Sequence, residues 1–343
     1  MVSLNKKLFC AFIDYERCFD TILRDALWVK LIQTGVSSKF VTMIKAIYSH
    51  VSSCVKLSNN SNISDFFNVA IGLKQGEPLS PLMFILFVND ISNIVDFNNL
   101  TDLDIAQLSL YLLIFADDIA VFTTDKQSLQ SLLNNIYTYS NNWGLKINVN
   151  KTKVCVFEKR RTKHNFEWFI NNDKIEEVEK FCYLGVIFSK TGNLKLAVKA
   201  LTEQANRAMN NLLALFKRTH MDLCTKFSLF DRMVVPILLY ASEVWGIYGY
   251  NDIDIIHMKF CKLLLGVRKQ TVNVAVLGEL GRFPLSILAR ERCLKYWCKI
   301  IRNNNNTVHS VYQEQCDSML NKENSWGFKV KQAIERLGLV NGY

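Results

Sequence analysis

Apolar residues in the first half of the chain come in two patterns, short runs of Ile, Val and Phe and longer stretches of helical spacing. Their order predicts the elements. Phe9 to Ile13 is a strand-like run that ends in Asp14. Leu23 to Gln33 and Lys39 to Ser49 keep helical spacing, with Gly35-Val36-Ser37-Ser38 as break and cap between them. Cys54 to Leu57 and Phe66 to Ile71 flank the polar stretch Ser58 to Ser64 and predict a hairpin. The Gly/Pro loop from Gly72 to Pro81 opens into an apolar helix from Leu82 to about Val95. Leu112 to Phe122 is nearly continuous in apolar residues and reads as two short buried strands, with Asp117 and Asp118 at the tight turn. An amphipathic helix, Lys126 to Asn142, and a strand, Val154 to Phe157, follow. This order is close to the split β-α-β-β-α-β arrangement of a ferredoxin-like sheet, which carries carboxylates at strand ends.

Beyond residue 190 the pattern is helical. From Asn193 to Phe216 the apolar positions Leu194, Val198, Leu201, Ala205, Ala208, Met209, Leu212 and Leu215 fall on one face. Lys226 to Trp245, Ile253 to Leu265 and Leu285 to Ile301 read as further helices, and Asn303 to Asn306 as a solvated loop. The last 40 or so residues carry little signal, and no internal repeat is visible. The fold class is therefore α+β, with sheet first and helices after.

Chemistry concentrates at three carboxylates. Two ionised side chains held beside a core repel and lose hydration, and a bound divalent metal is one remedy. An Asp-Asp pair is also common in ordinary solvated turns, so Asp14 is what separates the readings. If its strand lies beside the hairpin, Asp14, Asp117 and Asp118 converge, and such a cluster suits two hard cations with a nucleoside triphosphate completing the shell. Gly72 to Pro81 allows a flat ligand close to the backbone and an anion at the helix start, or is simply a loop before a helix.

Composition sharpens this. The 343 residues are half apolar, enough for two or three subdomains, and the net charge is +10. Residues 1 to 142 hold 10 Lys+Arg against 13 Asp+Glu, residues 143 to 220 hold 15 against 7, and residues 221 to 343 hold 16 against 11. An acidic centre followed by a basic platform suits a nucleic-acid polymerase or nuclease, though generic solvated lysines would give the same totals. No apolar run is long enough for a membrane span and no signal peptide is evident. The ten scattered cysteines read as reduced thiols without disulfide partners, in an intracellular protein of nucleus or cytoplasm.

Five ordered motifs resemble the reverse transcriptases of non-LTR, LINE-type retrotransposons. They are Ala11 to Asp20, Gly72 to Pro81 followed by Leu86 to Asp90, Phe115-Ala116-Asp117-Asp118, Trp143 to Thr152, and Phe181 to Gly185. Pro236 to Ala241, Cys261 to Val267 and Gly278 to Gly281 are similar to the helical segment that follows the polymerase core.

The resemblance implies an RNA-directed DNA polymerase with a ferredoxin-like palm over 1–190, a thumb over 191–250 and a helical region over 251–343. Its partners would be an RNA template, a DNA primer and a dNTP, its cofactors two Mg²⁺ ions or Mn²⁺. Asp14, Asp117 and Asp118 would bind metal. Phe19 would stack under the sugar and exclude a 2′-hydroxyl, and Gln75 and Gly76 would line the nucleotide pocket. Lys151 would screen or protonate the pyrophosphate. Phe181, Tyr183, Leu184 and Gly185 would grip the primer. Cys18 stands where the family usually has Ala. The fingers that relatives place before the Asp14 motif are not in this sequence, so a truncated element is expected, with nucleic-acid binding outlasting polymerisation. A binding-only remnant and a metal-dependent nuclease are the competing readings; the nuclease gives the Gln75 loop and the Phe181 hairpin no place.

Overall fold

The computed structural model describes residues 7–56, 63–94, 104–105, 108–109, 112–159, 165–303, 307–317 and 325–338. Strand β1 (Leu8–Ile13) leads through the one-turn helix Cys18–Thr21 to α1 (Arg24–Gln33), α2 (Ser38–Tyr48) and α3 (Leu79–Val88), which continues as a 3₁₀ turn, Asn89–Ile94. The hairpin β2 (Leu112–Phe115) and β3 (Asp118–Thr123) follows, then α4 (Lys126–Asn142) and β4 (Lys153–Phe157). Two further hairpins are β5 (Trp168–Ile170) with β6 (Asp173–Glu177), and β7 (Lys180–Tyr183) with β8 (Val186–Ser189). The rest is helical: α5 (Lys195–Arg218), α6 (Leu223–Met233), the turns Val235–Leu238 and Ser242–Trp245, then α7 (Asp252–Leu265), α8 (Asn273–Glu279), α9 (Leu285–Arg302), α10 (Thr307–Asp317) and α11 (Trp326–Arg336).

The main sheet has the order β2-β3-β1-β4-β6-β5. β1 is antiparallel to both neighbours, whereas β4 and β6 are parallel, so the sheet is mixed. Alternation along β1 divides its residues between the two faces. Phe9, Ala11 and Ile13 join the core under α1, α3 and α4. Cys10 and Phe12 point the other way, into a smaller cluster covered by Phe181, Tyr183 and Phe188 of the β7–β8 hairpin. A separate helical core gathers Val198, Met209, Phe230, Trp245 and Phe260. No helix among the described residues is long and apolar enough to cross a membrane.

The structure departs from the sequence reading at several elements. β2 and β3 are not both buried: Phe115 is 63% and Leu113 41% exposed, because β2 is an edge strand. β6 is hidden by its polarity, Asp173-Lys174-Ile175-Glu176-Glu177 having one apolar residue, and β5, though apolar, is three residues long. α3 begins at Leu79 rather than Leu82, since Pro81 lies within its first turn, where no intrahelical N–H is needed. The Cys54 hairpin shrinks to Ser52–Ser53 paired with Phe67–Asn68 plus a Lys56–Ile63 bridge, and 57–62 lie outside the described residues. The Lys226 to Trp245 stretch is divided, with Pro236 in a new turn, Val235–Leu238, and Ala241 at φ 53° capping the start of the next, Ser242–Trp245. Helices α10 and α11 stand in the stretch of weak signal, and 304–306 of the Asn303 loop are outside the described residues.

Candidate active site

The register of β1 against β3 decides where the carboxylates meet. Ile13 pairs with Ile119, so Asp14 and Asp118 leave the same end of the sheet on adjacent strands. The hairpin turn is Ala116-Asp117, and Ala116 holds φ 55°. A non-glycine residue in that region costs about 1–2 kcal/mol, which marks the turn as held in place by its surroundings.

Asp118 has its carboxyl raised above the ordinary range, first by burial and then by the charges of Asp117 and Asp14. Asp14 Oδ2 is buried with no hydrogen-bond donor; Lys151 Nζ lies 3.5 Å away at ion-pair distance only. Asp117 faces elsewhere, its Oδ2 accepting from the Cys18 thiol at 3.7 Å. Burial, followed by the Asp117 charge, pushes the Cys18 thiol up to about 12. The three-way convergence expected from the sequence is thus two carboxylates together and a third beside them, since consecutive residues at a strand start point to opposite sides. Among the described residues no three His, Cys, Asp or Glu side chains are grouped to hold an ion by themselves.

Asp14 and Asp118 open into a cavity of about 530 Å³ whose other wall includes Lys151, Lys153, Lys180, Phe181 and Tyr183. The β7–β8 hairpin is fixed there by ring packing: Phe181 stacks on Phe12 at 4.2 Å between centroids, and Tyr183 lies 5.4 Å from the same ring. Tyr183 Oη donates to the Asp118 carbonyl at 3.5 Å. Leu184 and Gly185 form the turn with φ 47° and 74°. Tyr240, after α6, donates to the Leu184 carbonyl at 2.8 Å, and a Cβ at Gly185 would meet its ring at 3.2 Å.

Phe19 is half-buried and stacks on Phe84 of α3 at 4.9 Å. Its carbonyl accepts from Leu73, and the Gln75 amide donates to Asp20 Oδ1 at 2.8 Å, so the Gly72 loop rides on the one-turn helix. Gly72 must be glycine here: at φ 79° a Cβ would sit 2.7 Å from the Asp20 carbonyl oxygen. A Cβ at Gly76 would meet nothing within 4 Å among the described residues, so that side of its backbone is open. A second cavity of about 550 Å³, lined by Tyr15, Arg17, Lys146 and Lys151, adjoins Lys151. Phe19, Gln75 and Gly76 do not line the Asp14–Asp118 cavity.

Several positioning residues escaped the sequence reading. Arg24 clamps the Gly72 loop by donating to the carbonyls of Tyr48, Val69, Ile71 and Gly72. Thr152 Oγ1 accepts from the Asp14 amide at 3.3 Å, and the Asp14 carbonyl accepts from Asn148 at 2.8 Å. Beneath the sheet, Lys30 is 1% exposed; it pairs with Asp90 and donates to Tyr139 Oη at 2.6 Å, with the Trp143 ring 3.9 Å away. A Lys in the apolar stripe of a helix is the available signal for this last cluster; Thr152 and Asn148 fall within the Trp143 to Thr152 motif, and Arg24 gives no signal.

The donor set fits hard divalent cations. Two carboxylates, one with a buried oxygen that accepts no hydrogen bond and one whose proton affinity is raised by burial and by its neighbours, gain from a bound positive ion.

A family model for the reverse transcriptase (RNA-dependent DNA polymerase) matches residues 1–188. The chain is similar to the probable RNA-directed DNA polymerase from transposon X-element of Drosophila melanogaster, 22% identical over 339 residues, covering 94% of this chain and 36% of that protein. It is also similar to the RNA-directed DNA polymerase from mobile element jockey of Drosophila funebris, 25% identical over 273 residues, 76% of this chain and 29% of that protein. Against apo telomerase from Candida tropicalis the TM-score is 0.42 at 13% identity, over 94% of this chain and 53% of that one. The chain spans about a third of the length of these curated relatives.

Proposed function

The chain belongs to the reverse transcriptase (RNA-dependent DNA polymerase) family, and from that membership we propose that the Asp14–Asp118 cleft is the nucleotidyl-transfer centre of an RNA-directed DNA polymerase. Residues 1–190 are then a ferredoxin-like palm, built on the order β4-β1-β3-β2, 191–250 the thumb, and 251–343 a helical extension. The observation that carries this reading is the pairing of Asp14 with Asp118 at one sheet end, opposite an aromatic hairpin across a single cavity.

Asp14 and Asp118, with Asp117 beside them, would hold two Mg²⁺ ions, or Mn²⁺. When bound, the ions supply charge stabilisation to the transferring phosphoryl group. The protein's own part is alignment. Thr152 and Asn148 fix the Asp14 backbone, and Tyr183 fixes the Asp118 carbonyl. Phe181, Tyr183, Leu184 and Gly185 seat the 3′ end of a DNA primer paired to an RNA template. The dNTP lies along Phe19, Gln75 and the open Gly76, with its phosphates toward Arg17, Lys146 and Lys151. Lys151, 3.5 Å from Asp14 and 70% exposed at its side chain, would screen or protonate the pyrophosphate. In-line attack needs little covalent help, so such positioning accounts for much of the rate.

The test is extension of a DNA primer on an RNA template with dNTPs and Mg²⁺. Cation-dependent products abolished by chelation are expected. A chain that binds the duplex yet adds no nucleotide, even with a related fingers segment joined before Met1, would contradict the reading.

A further inference from the structure

Helices α9 and α11 face each other across a groove of about 1050 Å³, none of whose lining residues belongs to the Asp14–Asp118 cavity. Arg290, Lys299 and Arg302 line it from α9, Lys329 and Arg336 from α11. Glu291 is the carboxylate on its walls, and it pairs within α9 with Lys295 at 2.6 Å. Among the described residues no ion pair engages the other five cations. The walls are fixed from behind: Cys293, Trp297, Val330 and Ile334 form a common core, and Trp326 Nε1 donates to the Glu243 carbonyl at 3.1 Å.

Uncompensated like charges lining a fixed concave surface repel, and an anionic partner relieves that repulsion. The spread of the charges says what kind. Arg290 and Arg302 are separated by about 18 Å along the helix at 1.5 Å per residue, too far to converge on one small anion. A nucleic-acid strand presents about five phosphates over that distance at 3.4 Å per nucleotide.

We infer that the α9–α11 groove binds the phosphodiester backbone of a nucleic-acid strand, as a second contact surface apart from the polymerase cleft. The choice of nucleic acid over another polyanion rests on the polymerase reading. Phosphate contacts of this kind carry no sequence preference and release counterions, so the signature is salt dependence.

The experiment uses the full chain and its triple variant Lys299→Gln, Arg302→Gln, Arg336→Gln. Labelled RNA and duplex DNA, each long enough to span cleft and groove, are titrated across a salt series. The slope of log affinity against log salt is expected to fall by about 2 for the single strand and nearer 3 for the duplex, with affinity down about tenfold or more. A charge-preserving triple, Lys299→Arg, Arg302→Lys, Arg336→Lys, keeps both. The arm that loses its full expected slope while the other keeps its own identifies RNA or duplex DNA as the strand held. Extension of a primer–template too short to reach the groove is unchanged by the neutral triple. An unchanged slope with extension intact would overturn the groove alone, and a changed slope in a chain that cannot extend would count against the polymerase reading alone. Displacement of the RNA from the groove by poly-glutamate at equal charge would also overturn the inference, in favour of an acidic protein partner.

Discussion

Two charged clusters sit in the sheet-bearing half of this molecule, and they are built in opposite ways. Lys30, Asp90 and Tyr139 satisfy one another beneath the sheet: Tyr139 Oη donates to Asp90 Oδ1 at 2.6 Å, and the Lys30 ammonium also faces the rings of Trp143, Tyr139 and Phe87. Asp14 and Asp118 do the reverse. They bring like charges to one sheet end, one with a buried oxygen that accepts no hydrogen bond and faces only Lys151 at 3.5 Å, the other with its carboxyl raised by burial and by its neighbours. The first cluster is complete without a ligand and joins α1, α4 and the turn after α3. The second faces a single ammonium, Lys151 at 3.5 Å from Asp14, and would gain from a further cation. Structure and function are thereby separated within one core.

Breaking each cluster should give opposite phenotypes. The largest effect is on catalysis: Asp14→Ala or Asp118→Ala should reduce Mg²⁺-dependent extension by at least about 10²-fold, the scale on which one electrostatic group at a reacting centre acts. Duplex affinity and the urea midpoint should hold or rise, and retained extension would remove these residues from the site. Lys30→Met should do the converse. It leaves Asp90 and Tyr139 without their cation, a change worth about 3 kcal/mol in urea unfolding, while the folded fraction extends primers normally. A folded, stable variant that cannot extend would move Lys30 into the catalytic machinery.

Phe19→Ala sharpens the comparison at the rim of the site. Loss of one steric contact is worth about 1–3 kcal/mol, or roughly tenfold to over a hundredfold in selectivity, so ribonucleotide incorporation should rise against deoxyribonucleotide. An unchanged ratio would leave the Phe84 stack as its whole role.

The smallest effect is a pH dependence. Because the Asp118 carboxyl is raised, the folded state holds its proton more tightly than the unfolded state does, so ionisation destabilises the fold as pH rises through the carboxylate range. In metal-free buffer Asp118→Asn should therefore raise the melting temperature at neutral pH, with the gain vanishing below about pH 3, where both states are protonated. Added Mg²⁺ should stabilise the native chain and not this variant. A gain that persists in acid would mean packing, not charge, explains it.

Much of this was legible in the chain. Phe9 to Asp14 and Phe115 to Asp118 fixed two strand ends by their apolar runs, and one pairing then put their acids together. What was hidden has physical causes. β6 is too polar to register as a strand, and β2 is as apolar as a buried strand while lying at an edge. That Asp117 turns away from Asp118 follows from alternation, but that it meets Cys18, 99 residues away, is set by the fold. Tyr240 meets Leu184 across 56 residues, and Arg24 reaches carbonyls up to 48 residues away. Such contacts are set by the fold and leave no local pattern.

The central claim is that the unsatisfied cluster, and not the satisfied one, is a metal site. Electron paramagnetic resonance of Mn²⁺ titrated into the chain with primer–template and dNTP tests it directly. The account predicts two ions bound by the native chain and by Lys30→Met, with binding lost in Asp14→Ala and Asp118→Ala. Equal Mn²⁺ binding in all four proteins would contradict it.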